Sequence, residues 1–370
     1  MKKIMFLIYS LGAGGAERVL VDTVNYLDKD KYEITVQTLF HEETWMNLLD
    51  SSVNYKTVFR INSKYLKRLI SGIVQYVIPP SVVYRLFFKG DYDVEAAFME
   101  AFPTKVLAYS SNRNAAKYAW IHTDMEIYKK QDRLYRSLKH QKKCYERFQH
   151  IFCVSEGVKK AFIRKFNFSG RVDVVYNILN EKNILEKSKA VCPDIPSDKF
   201  KIVSIGRLCQ EKGFERLIRI SARLRDEGYS FCTMIVGDGI LREELQALIQ
   251  REKAEDCVKM MGFQENPYPY LAAADLYVSS SYREGFSTVV SEAVILGVPV
   301  ITTNSFGMKE ILGESEYGVI TDNDEQALYE GIKRLLTDYA YYRHYCEKVK
   351  KRSPFFSIQK RLEEYEHYLG

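Results

Sequence analysis

Two glutamates separated by seven residues, Glu284 and Glu292, bracket the segment of this chain that most clearly predicts chemistry. The run 276–281 before them reads as a buried strand, and residues 285–287 form a Gly-Phe-Ser turn into an apolar helix. Such a corner leaves main-chain N–H groups unpaired at the helix N-terminus, where the helix dipole also favours an anion. The segment therefore predicts a phosphate-binding corner.

The glutamates are placed to bind the groups on either side of a diphosphate. Ser287 has the side chain of a helix N-cap. Glu292 lies five residues further on, about 7.5 Å along the helix axis, which is about the reach from a diphosphate to the ribose of the same nucleotide. Glu284 lies across the turn, where the group on the far end of the diphosphate would be. The alternative interpretation is a strand–turn–helix unit with two solvated glutamates.

Two cations follow another expected strand. The run 200–205 ends at Gly206-Arg207, and Lys212 comes shortly before a helix that starts at Phe214. Open α/β sheets bind ligands at the carboxyl ends of their strands. An arginine binds a phosphate through two hydrogen bonds, and a lysine acts on it as a point charge. The alternative is a pair of exposed loop cations without a ligand.

In order and spacing these motifs resemble the family 4 retaining glycosyltransferases, which have the GT-B fold and an E-x7-E motif. The resemblance extends over roughly residues 3–340. No single motif is specific for this family, but the motifs together are. It consists of Gly14-Gly15-Ala16-Glu17-Arg18, Gly206-Arg207, Glu211-Lys212-Gly213, Gly237-Asp238-Gly239, Gly262-Phe263 and the run from Glu284 to Glu292.

The resemblance implies a role for each residue in the second half of the chain. Arg207 and Lys212 would hold the donor diphosphate, and Glu292 would hold the ribose. Glu284 would contact the donor sugar, and Phe263 would lie near the base. The main chain at Gly285, Phe286 and Ser287 would meet the phosphates.

The first half of the chain is expected to contribute three donor-site residues. Gly14 and Gly15 would let the main chain approach the donor closely because they lack side chains. His122 follows the expected strand 116–121 and, by the resemblance, faces the donor sugar; without the resemblance it reads as a structural histidine. The resemblance thus gives a catalytic set of His122, Arg207, Lys212 and Glu284.

Alternating strands and helices predict an α/β fold with two doubly wound, Rossmann-like domains. The GT-B resemblance implies that these domains face an interdomain cleft. We expect an acceptor-binding domain over 1–180, a linker over 181–198 that contains Pro193 and Pro196, and a nucleotide-sugar-binding domain over 199–352. The remaining residues, 353–370, are expected to form a helix that crosses back to the first domain.

Neither a metal nor another cofactor is expected. The seven cysteines are dispersed without a C-x-x-C pair, which is typical of reduced core thiols and argues against zinc. Negative charge grows on the diphosphate as it leaves, and Arg207, Lys212 and the helix end at 286–288 would stabilise that charge. The expected reaction is therefore metal-independent.

Charge is distributed unevenly along the chain. Residues 1–180 contain 28 Lys and Arg against 18 Asp and Glu, a net charge of +10, whereas the remainder has a net charge of −4. Within the basic half, residues 60–89 mix apolar and basic side chains, and Pro79-Pro80 divides them into two short helices. This pattern favours peripheral contact with an anionic membrane; the alternative is two ordinary helices at the domain edge. No motif for nucleic-acid recognition is present.

Taken with these residues, the resemblance implies a retaining hexosyltransferase that uses a nucleotide sugar, in the first place a UDP-sugar, and a glycan or lipid-linked acceptor. Its expected setting is capsule or other cell-surface polysaccharide biosynthesis, in the cytoplasm at the inner face of the plasma membrane. One alternative is a UDP-sugar epimerase of similar fold, and another is a non-catalytic glycan- or membrane-binding subunit. A Rossmann dinucleotide site at Gly12–Glu17, with His41-Glu42-Glu43 as the ribose-binding segment, is a weaker alternative because it leaves the second half unexplained.

Overall fold

The computed structural model describes residues 1–12, 14–127, 129–191, 195 and 198–370, with Lys130 described by its backbone only. Main-chain packing divides the chain into two units. Unit 1 comprises Met1–Leu179 and Gln359–Gly370, and unit 2 comprises Asn180–Ile358. Each unit has its own parallel sheet with helices between the strands, so the predicted pair of doubly wound α/β domains is confirmed.

Unit 1 contains a seven-stranded parallel sheet in the order β3-β2-β1-β4-β5-β6-β7. Its strands are β1 Lys2–Ile8, β2 Tyr32–Phe40, β3 Asn54–Phe59, β4 Val94–Ala97, β5 Ala116–Ile121, β6 His150–Cys153 and β7 Val172–Val174. Its helices are α1 Gly15–Tyr26, α2 Glu43–Met46, α3 Lys64–Gly72, α4 Pro80–Val83, α5 Phe102–Leu107, α6 Leu138–Tyr145 and α7 Glu156–Phe166.

Unit 2 contains a six-stranded parallel sheet in the order β10-β9-β8-β11-β12-β13. Its strands are β8 Phe200–Ile205, β9 Phe231–Val236, β10 Val258–Gly262, β11 Leu276–Ser279, β12 Val300–Thr303 and β13 Val319–Thr321. Its helices are α8 Glu181–Lys187, α9 Phe214–Asp226, α10 Arg242–Arg251, α11 Tyr268–Ala272, α12 Thr288–Ile295, α13 Met308–Leu312, α14 Glu325–Thr337 and α15 Tyr339–Arg352.

The central strands are apolar along their length because parallel sheets are covered on both faces. Residues 4–8 of β1 and all six residues of β9 are buried. Helices between the strands carry apolar stripes that pack on these faces, as in α9, where Leu217, Ile218 and Leu224 are fully buried. This alternation of strand and amphipathic helix is what brings the carboxyl ends of the strands to one edge of each sheet.

The structure differs from the predicted linker at 181–187, where α8 forms and buries Ile184 in unit 2. Asn180 caps this helix by accepting a hydrogen bond from the main-chain N–H of Asn183 at 2.9 Å. Pro193 and Pro196, on which the linker prediction partly rested, lie outside the described residues. At the other end of the chain, α16 spans Ile358–Leu369 and packs within unit 1 from Gln359 onward.

Residues 64–88 form a bent helical segment of unit 1. Helix α3 continues into a π-helical turn at Ile73–Val77, and α4 continues into a second one at Tyr84–Phe88. Across the described part of the chain, no single helix is long and apolar enough to cross a membrane. The two helices Lys64–Val77 and Pro80–Phe88 are long and apolar enough only when they are taken together. They are bent by 117° relative to each other at Pro79-Pro80.

Candidate functional site

Strand order reverses between β8 and β11 in unit 2, which is where open α/β sheets form ligand crevices. The two strands pair directly, with Leu276 opposite Ile202 and Tyr277 opposite Val203. The turns that follow them, 206–213 and 280–287, therefore start side by side at the carboxyl edge of the sheet. These turns contain most of the residues that the sequence selects.

Lys212 and Glu284 meet across the two turns. The Lys212 Nζ lies 2.7 Å from the Glu284 Oε1, and the Ser281 hydroxyl donates to the same oxygen at 2.7 Å. The side chains of Lys212 and Glu284 are 24% and 12% exposed. Because water screens this ion pair only partly, it holds both side chains more firmly than a surface pair would. The structure thus brings together two predicted site residues separated by 72 positions.

Arg207 lies on the other side of the same turn, with its side chain exposed. The main chain holds the turn in place, because the Leu208 N–H donates to the Asp238 carbonyl at 3.0 Å. The Leu241 N–H donates in return to the Leu208 carbonyl at 3.1 Å. Arg207 forms no ion pair with any residue that the structure describes. A fixed backbone thus presents a cation whose guanidinium is available to an anion.

Gly237 lets the turn that follows β9 lie directly against the turn that follows β8. Its backbone has a φ of +147°, and an added Cβ would overlap the carbonyl oxygen of Gly206. The Gly237 N–H also donates to the Gly262 carbonyl at 2.8 Å. The ends of β8, β9 and β10 are therefore linked through the main chain. Phe263, which follows β10, is 60% exposed beside them.

The predicted phosphate-binding corner is formed by Gly285, Phe286 and the N-terminus of α12. Ser287 caps the helix, as predicted, and its hydroxyl accepts a hydrogen bond from the Val290 N–H at 3.3 Å. That cap satisfies one of the four N–H groups that a helix N-terminus leaves without an intrahelical partner. Glu292 lies on the next turn of α12, where it is 7% exposed and accepts a hydrogen bond from the Tyr268 hydroxyl at 3.1 Å.

Arg216 of α9, which the sequence analysis missed, fixes the turn that carries Glu284. It is 1% exposed, and its Nε donates to the Ser280 carbonyl at 2.7 Å. Its Nη2 donates to the side chains of Asn323 and Thr303, at 3.0 and 3.4 Å. The guanidinium also lies 4.1 Å from the ring centroid of Tyr282. Burial lowers the pKa of Arg216, but a guanidinium keeps its charge in proteins.

Tyr282 is fixed from the other side as well. Its main-chain N–H donates to the Glu211 carbonyl at 2.8 Å, and its carbonyl accepts from the Asn323 amide at 2.8 Å. Its hydroxyl donates to the Glu215 carboxylate at 2.7 Å. A charged residue on a buried helix face was the signal that could have identified Arg216, because such a side chain needs buried acceptors.

In unit 1, Gly14 and Gly15 begin α1, with Gly14 as the N-cap residue in an extended conformation. A side chain at Gly14 would overlap the carboxylate of Glu17, which folds back over this helix end. β1 and β4 are neighbours at the point where the strand order of unit 1 reverses. Both glycines therefore follow the strand at which such a sheet binds ligands.

His122 directly follows β5 in unit 1, and its ring lies 5.2 Å from that of Phe98. Its Nε2 is buried and has no hydrogen-bond partner among the described residues. Burial lowers the pKa of His122, while the charge of Glu100 and a hydrogen bond to the main chain of Phe98 oppose that shift. The imidazole is therefore neutral at pH 7.

In the part of the chain that the structure describes, no group of three or more His, Cys, Asp or Glu side chains has the arrangement to hold a metal ion. Six cysteines are free thiols, and Cys192 lies outside the described residues.

Comparison with known proteins gives the class of protein to which this chain belongs. The model for "Glycosyltransferase Family 4" matches residues 13–182, and the model for "Glycosyl transferases group 1" matches residues 187–352. Matched in succession, the two models identify the chain as a family 4-like glycosyltransferase, and its solved structural neighbours give it the GT-B fold.

Individual relatives carry more specific names. The chain is 27% identical, over 96% of both sequences, to the N-acetylgalactosamine-N,N'-diacetylbacillosaminyl-diphospho-undecaprenol 4-alpha-N-acetylgalactosaminyltransferase of Campylobacter jejuni. It is 28% identical to the lipopolysaccharide core biosynthesis glycosyltransferase LpsE of Rhizobium meliloti, over 51% of this chain and 54% of LpsE. The Anabaena protein HepE, solved with UDP and glucose, superposes with a TM-score of 0.75 at 22% identity, covering 100% of this chain and 99% of HepE.

We predict that Arg216→Met destabilises unit 2 by about 3 kcal/mol, because it leaves buried acceptors at Ser280 and Asn323 without a donor. A loss of that size corresponds to a decrease of roughly 6–12 °C in the melting temperature. The matched control is Arg219→Met on the same helix, whose partner Glu325 is 43% exposed. This control substitution should lower the free energy of unfolding by less than about 1 kcal/mol. Equal melting temperatures for the two variants would contradict the role assigned to Arg216.

Proposed function

We propose that this glycosyltransferase moves a hexosyl-type sugar from a UDP-sugar to a glycan or lipid-linked acceptor, with retention of anomeric configuration. The observation that carries the proposal is the juxtaposition of the Lys212–Glu284 pair and the N-terminus of α12 at adjoining strand ends. The HepE complex with UDP and glucose supports the choice of donor. The diphospho-undecaprenol named for the Campylobacter enzyme supports a lipid-linked acceptor in cell-surface polysaccharide biosynthesis. In this proposal, unit 1 binds the acceptor.

The chemistry follows from the charges at this corner. When the bond between the anomeric carbon and the diphosphate oxygen breaks, negative charge grows on the diphosphate. Lys212, Arg207 and the free N–H groups of α12 would stabilise it, each on the order of 3 kcal/mol. In the free protein Glu284 already holds Lys212, so the cation is ordered before the diphosphate arrives. Glu292, on the next turn of α12, would hold the ribose, and the exposed ring of Phe263 would lie near the base.

Retention is best explained by attack on the face from which the diphosphate leaves. One carboxylate oxygen of Glu284, Oε1, already accepts hydrogen bonds from both Lys212 and Ser281. Two such donors stabilise the carboxylate and weaken it as a nucleophile. Glu284 is better suited to bind sugar hydroxyls. An epimerase would convert the UDP-sugar without an acceptor, and a binding subunit would release no UDP, so a product assay distinguishes both alternatives from transfer.

Loss of donor turnover is the expected result for both Arg207→Ala and Glu292→Ala. Each removes a charge-assisted contact of about 1.5–3 kcal/mol, equivalent to roughly 10- to 150-fold in affinity for UDP. UDP affinity by calorimetry and UDP release from a panel of UDP-sugars would be measured, with Arg251→Ala on the exposed side of α10 as the control. If both variants bind UDP and turn over the donor as the wild-type protein does, the site assignment is wrong.

Lys212 and Arg207 supply positive charge where a catalytic metal otherwise would, so the proposed reaction is metal-independent. Activity should therefore persist in excess EDTA, measured as UDP release from the donor that the wild-type protein uses. Complete loss of activity that returns on addition of manganese or magnesium would contradict this mechanism. Lys212→Met in the same assay, with or without metal, should be inactive because a metal cannot replace the lost ammonium group.

We further propose that the protein works at the inner, cytoplasmic face of the plasma membrane and contacts it through residues 60–89. One face of this segment is anchored to unit 1: the Lys105 Nζ donates to the Gln75 carbonyl at 2.7 Å, and the Tyr9 hydroxyl donates to Ser71 at 2.7 Å. Val74, Val83 and Phe88 are buried on the same side. The segment is therefore a fixed part of unit 1.

The opposite face is apolar and basic. Its large side chains are between 37% and 79% exposed: Tyr65, Leu66, Leu69, Ile73, Tyr76, Val77, Val82 and Leu86. Five exposed cations flank them, namely Arg60, Lys64, Arg68, Arg85 and Lys89. No Asp or Glu occurs between residues 61 and 90. Apolar side chains that enter the acyl boundary and cations near anionic headgroups, each worth about 1 kcal/mol, together suit a lipid surface.

Tyr76→Glu is expected to weaken binding to vesicles that contain phosphatidylglycerol by at least about tenfold, because a charge replaces an inserting ring. Tyr339→Glu is the matched control, since Tyr339 is 73% exposed on α15 of unit 2 while Tyr76 is 61% exposed. Vesicle sedimentation would measure binding, and UDP release from a soluble donor would show that both variants keep an intact donor site. Equal vesicle binding by the two variants would contradict membrane contact through this segment.

A further inference from the structure

A pocket at the amino edge of the sheet in unit 1 is lined by cations. Its volume is about 360 Å³, within the range of pockets that bind small molecules. The pocket is formed by the segments that lead into β5 and β6, which begin at Ala116 and His150. Gly14, Gly15 and His122 lie at the opposite edge of this sheet, where its strands end. The pocket is therefore separate from the ligand-binding edge of unit 1.

The pocket has an excess of positive charge. Arg113, Lys117 and Arg147 line it, and none of the three forms an ion pair with a residue that the structure describes. Glu146 is the one carboxylate among the lining residues, and it lies 3.9 Å from the Nζ of Lys142. Three cations and one carboxylate give the lining a net charge of +2.

The guanidinium of Arg147 is held in a fixed orientation. Its Nη1 donates to the Ala108 carbonyl at 3.0 Å, and the guanidinium carbon lies 4.4 Å from the ring centroid of Tyr109. The hydrogen bond uses one of the five N–H groups of the side chain. The other N–H groups have no acceptor among the described residues, so an ordered cation has donors left for a ligand.

Lys117 is held close to Arg147. Its main-chain carbonyl accepts from the Gln149 N–H at 2.9 Å, its own N–H donates to the Gln149 side chain, and its Nζ lies 3.4 Å from the Ser110 carbonyl. Burial lowers the pKa of Lys117, Glu95 opposes that shift, and the charge of Arg147 adds to it. The two cations therefore repel each other, and an anion between them would remove that repulsion.

The loop that carries Arg113 is fixed by the side chain of Asn112. Its Oδ1 accepts from the Ala115 N–H at 3.3 Å, and its Nδ2 donates to the Tyr92 carbonyl at 2.9 Å. Arg113 itself is exposed and makes no hydrogen bond with the described residues. Tyr92 follows closely on residues 60–89, so the pocket adjoins the chain that leaves the proposed membrane-contact segment.

Charge and geometry together select a phosphomonoester. A phosphate monoester carries about two negative charges at pH 7 and three terminal oxygens, which matches the charge of the pocket and allows one oxygen for each cation. Guanidinium groups bind such oxygens through two hydrogen bonds. We propose that Arg113, Lys117 and Arg147 form a binding site for a phosphomonoester, carried by a soluble molecule or by a lipid. None of these residues belongs to the E-x7-E corner.

The test compares Arg113→Gln and Lys117→Met with Lys139→Gln. Lys139 is an exposed cation of α6 outside the pocket, so its loss changes the net charge by the same amount. Circular dichroism and melting temperature would establish that the variants fold. If Lys117→Met does not fold because Glu95 loses a neighbouring cation, Arg113→Gln takes its place, since the Arg113 side chain makes no hydrogen bond with the described residues.

The first assay measures the affinity for inorganic phosphate by calorimetry in a chloride buffer of low ionic strength. All variants are made in the Lys212→Met protein, whose proposed donor corner lacks its ammonium group. We expect each pocket substitution to lower phosphate affinity about tenfold and Lys139→Gln to change it by less than about twofold. Glu146→Gln should raise the affinity by about threefold, because it removes the carboxylate that repels the ligand.

The second assay distinguishes a lipid source from a soluble one. It compares sedimentation with phosphatidylcholine vesicles that contain either phosphatidic acid, a phosphomonoester, or phosphatidylglycerol, a diester. A preference for phosphatidic acid that the pocket substitutions remove and Lys139→Gln keeps assigns the site to a lipid. Selective loss of phosphate affinity without such a preference assigns it to a soluble molecule.

Two results would overturn the inference. One is that the parent protein neither binds inorganic phosphate nor prefers phosphatidic acid. The other is that Arg113→Gln and Lys139→Gln behave alike in both assays, because the effect would then be one of overall surface charge. Neither result bears on UDP-sugar turnover, so the proposed function is tested independently.

Discussion

The buried guanidinium of Arg216 is the interaction on which the candidate donor corner of unit 2 depends. Its hydrogen bonds reach the segments that follow β11 and β13 and the end of β12, through Ser280, Asn323 and Thr303. A buried cation is costly unless its donors are used, so the acceptors around it cannot move independently. The turn that carries Glu284 is therefore constrained from inside the unit before any substrate contacts it.

This constraint explains how Glu284 and Lys212 can be ordered in turns for which we propose substrate binding. A loop that becomes ordered only on binding loses affinity to that ordering. Here Tyr282 is held by Glu211, Glu215 and Asn323, and Lys212 is held by Glu284. The proposed donors for a diphosphate thus belong to a backbone that is already rigid, which is the condition under which fixed dipoles and charges stabilise a transition state most.

Sequence patterns predicted those parts of the fold and site that depend on residues close together in the sequence. The strand at 200–205 and the Ser287 cap are found as predicted, because a buried run and a helix cap are local features. β3 was not predicted: it is a partly exposed strand whose polar and apolar residues alternate weakly. The stretch 181–198 is polar and without a clear period, which predicts a linker, yet residues 181–187 form a helix that buries Ile184.

Long-range polar contacts could not be predicted in the same way. Arg216 reads as a charged residue on an amphipathic helix, and its partners lie 64 to 107 positions away. The resemblance to a family supplied Arg207, Lys212, Glu284 and Glu292 because those residues recur in a fixed pattern. It did not supply Arg216 or Tyr282, which fix the turn that carries Glu284.

The packing of α16 has a consequence for how the chain is assembled during synthesis. Tyr365 and Leu369 are buried in unit 1, the ring of Tyr365 stacks on Trp120 of β5, and the Tyr368 carbonyl accepts a hydrogen bond from Tyr118. All of unit 2 is translated before these residues leave the ribosome. Unit 2 is therefore free to fold as it emerges, whereas in unit 1 the face of Trp120 that stacks on Tyr365 stays uncovered until a segment translated after unit 2 arrives. Nascent chains of this protein thus expose an aromatic surface of unit 1 for most of translation, which is where a chaperone would be needed.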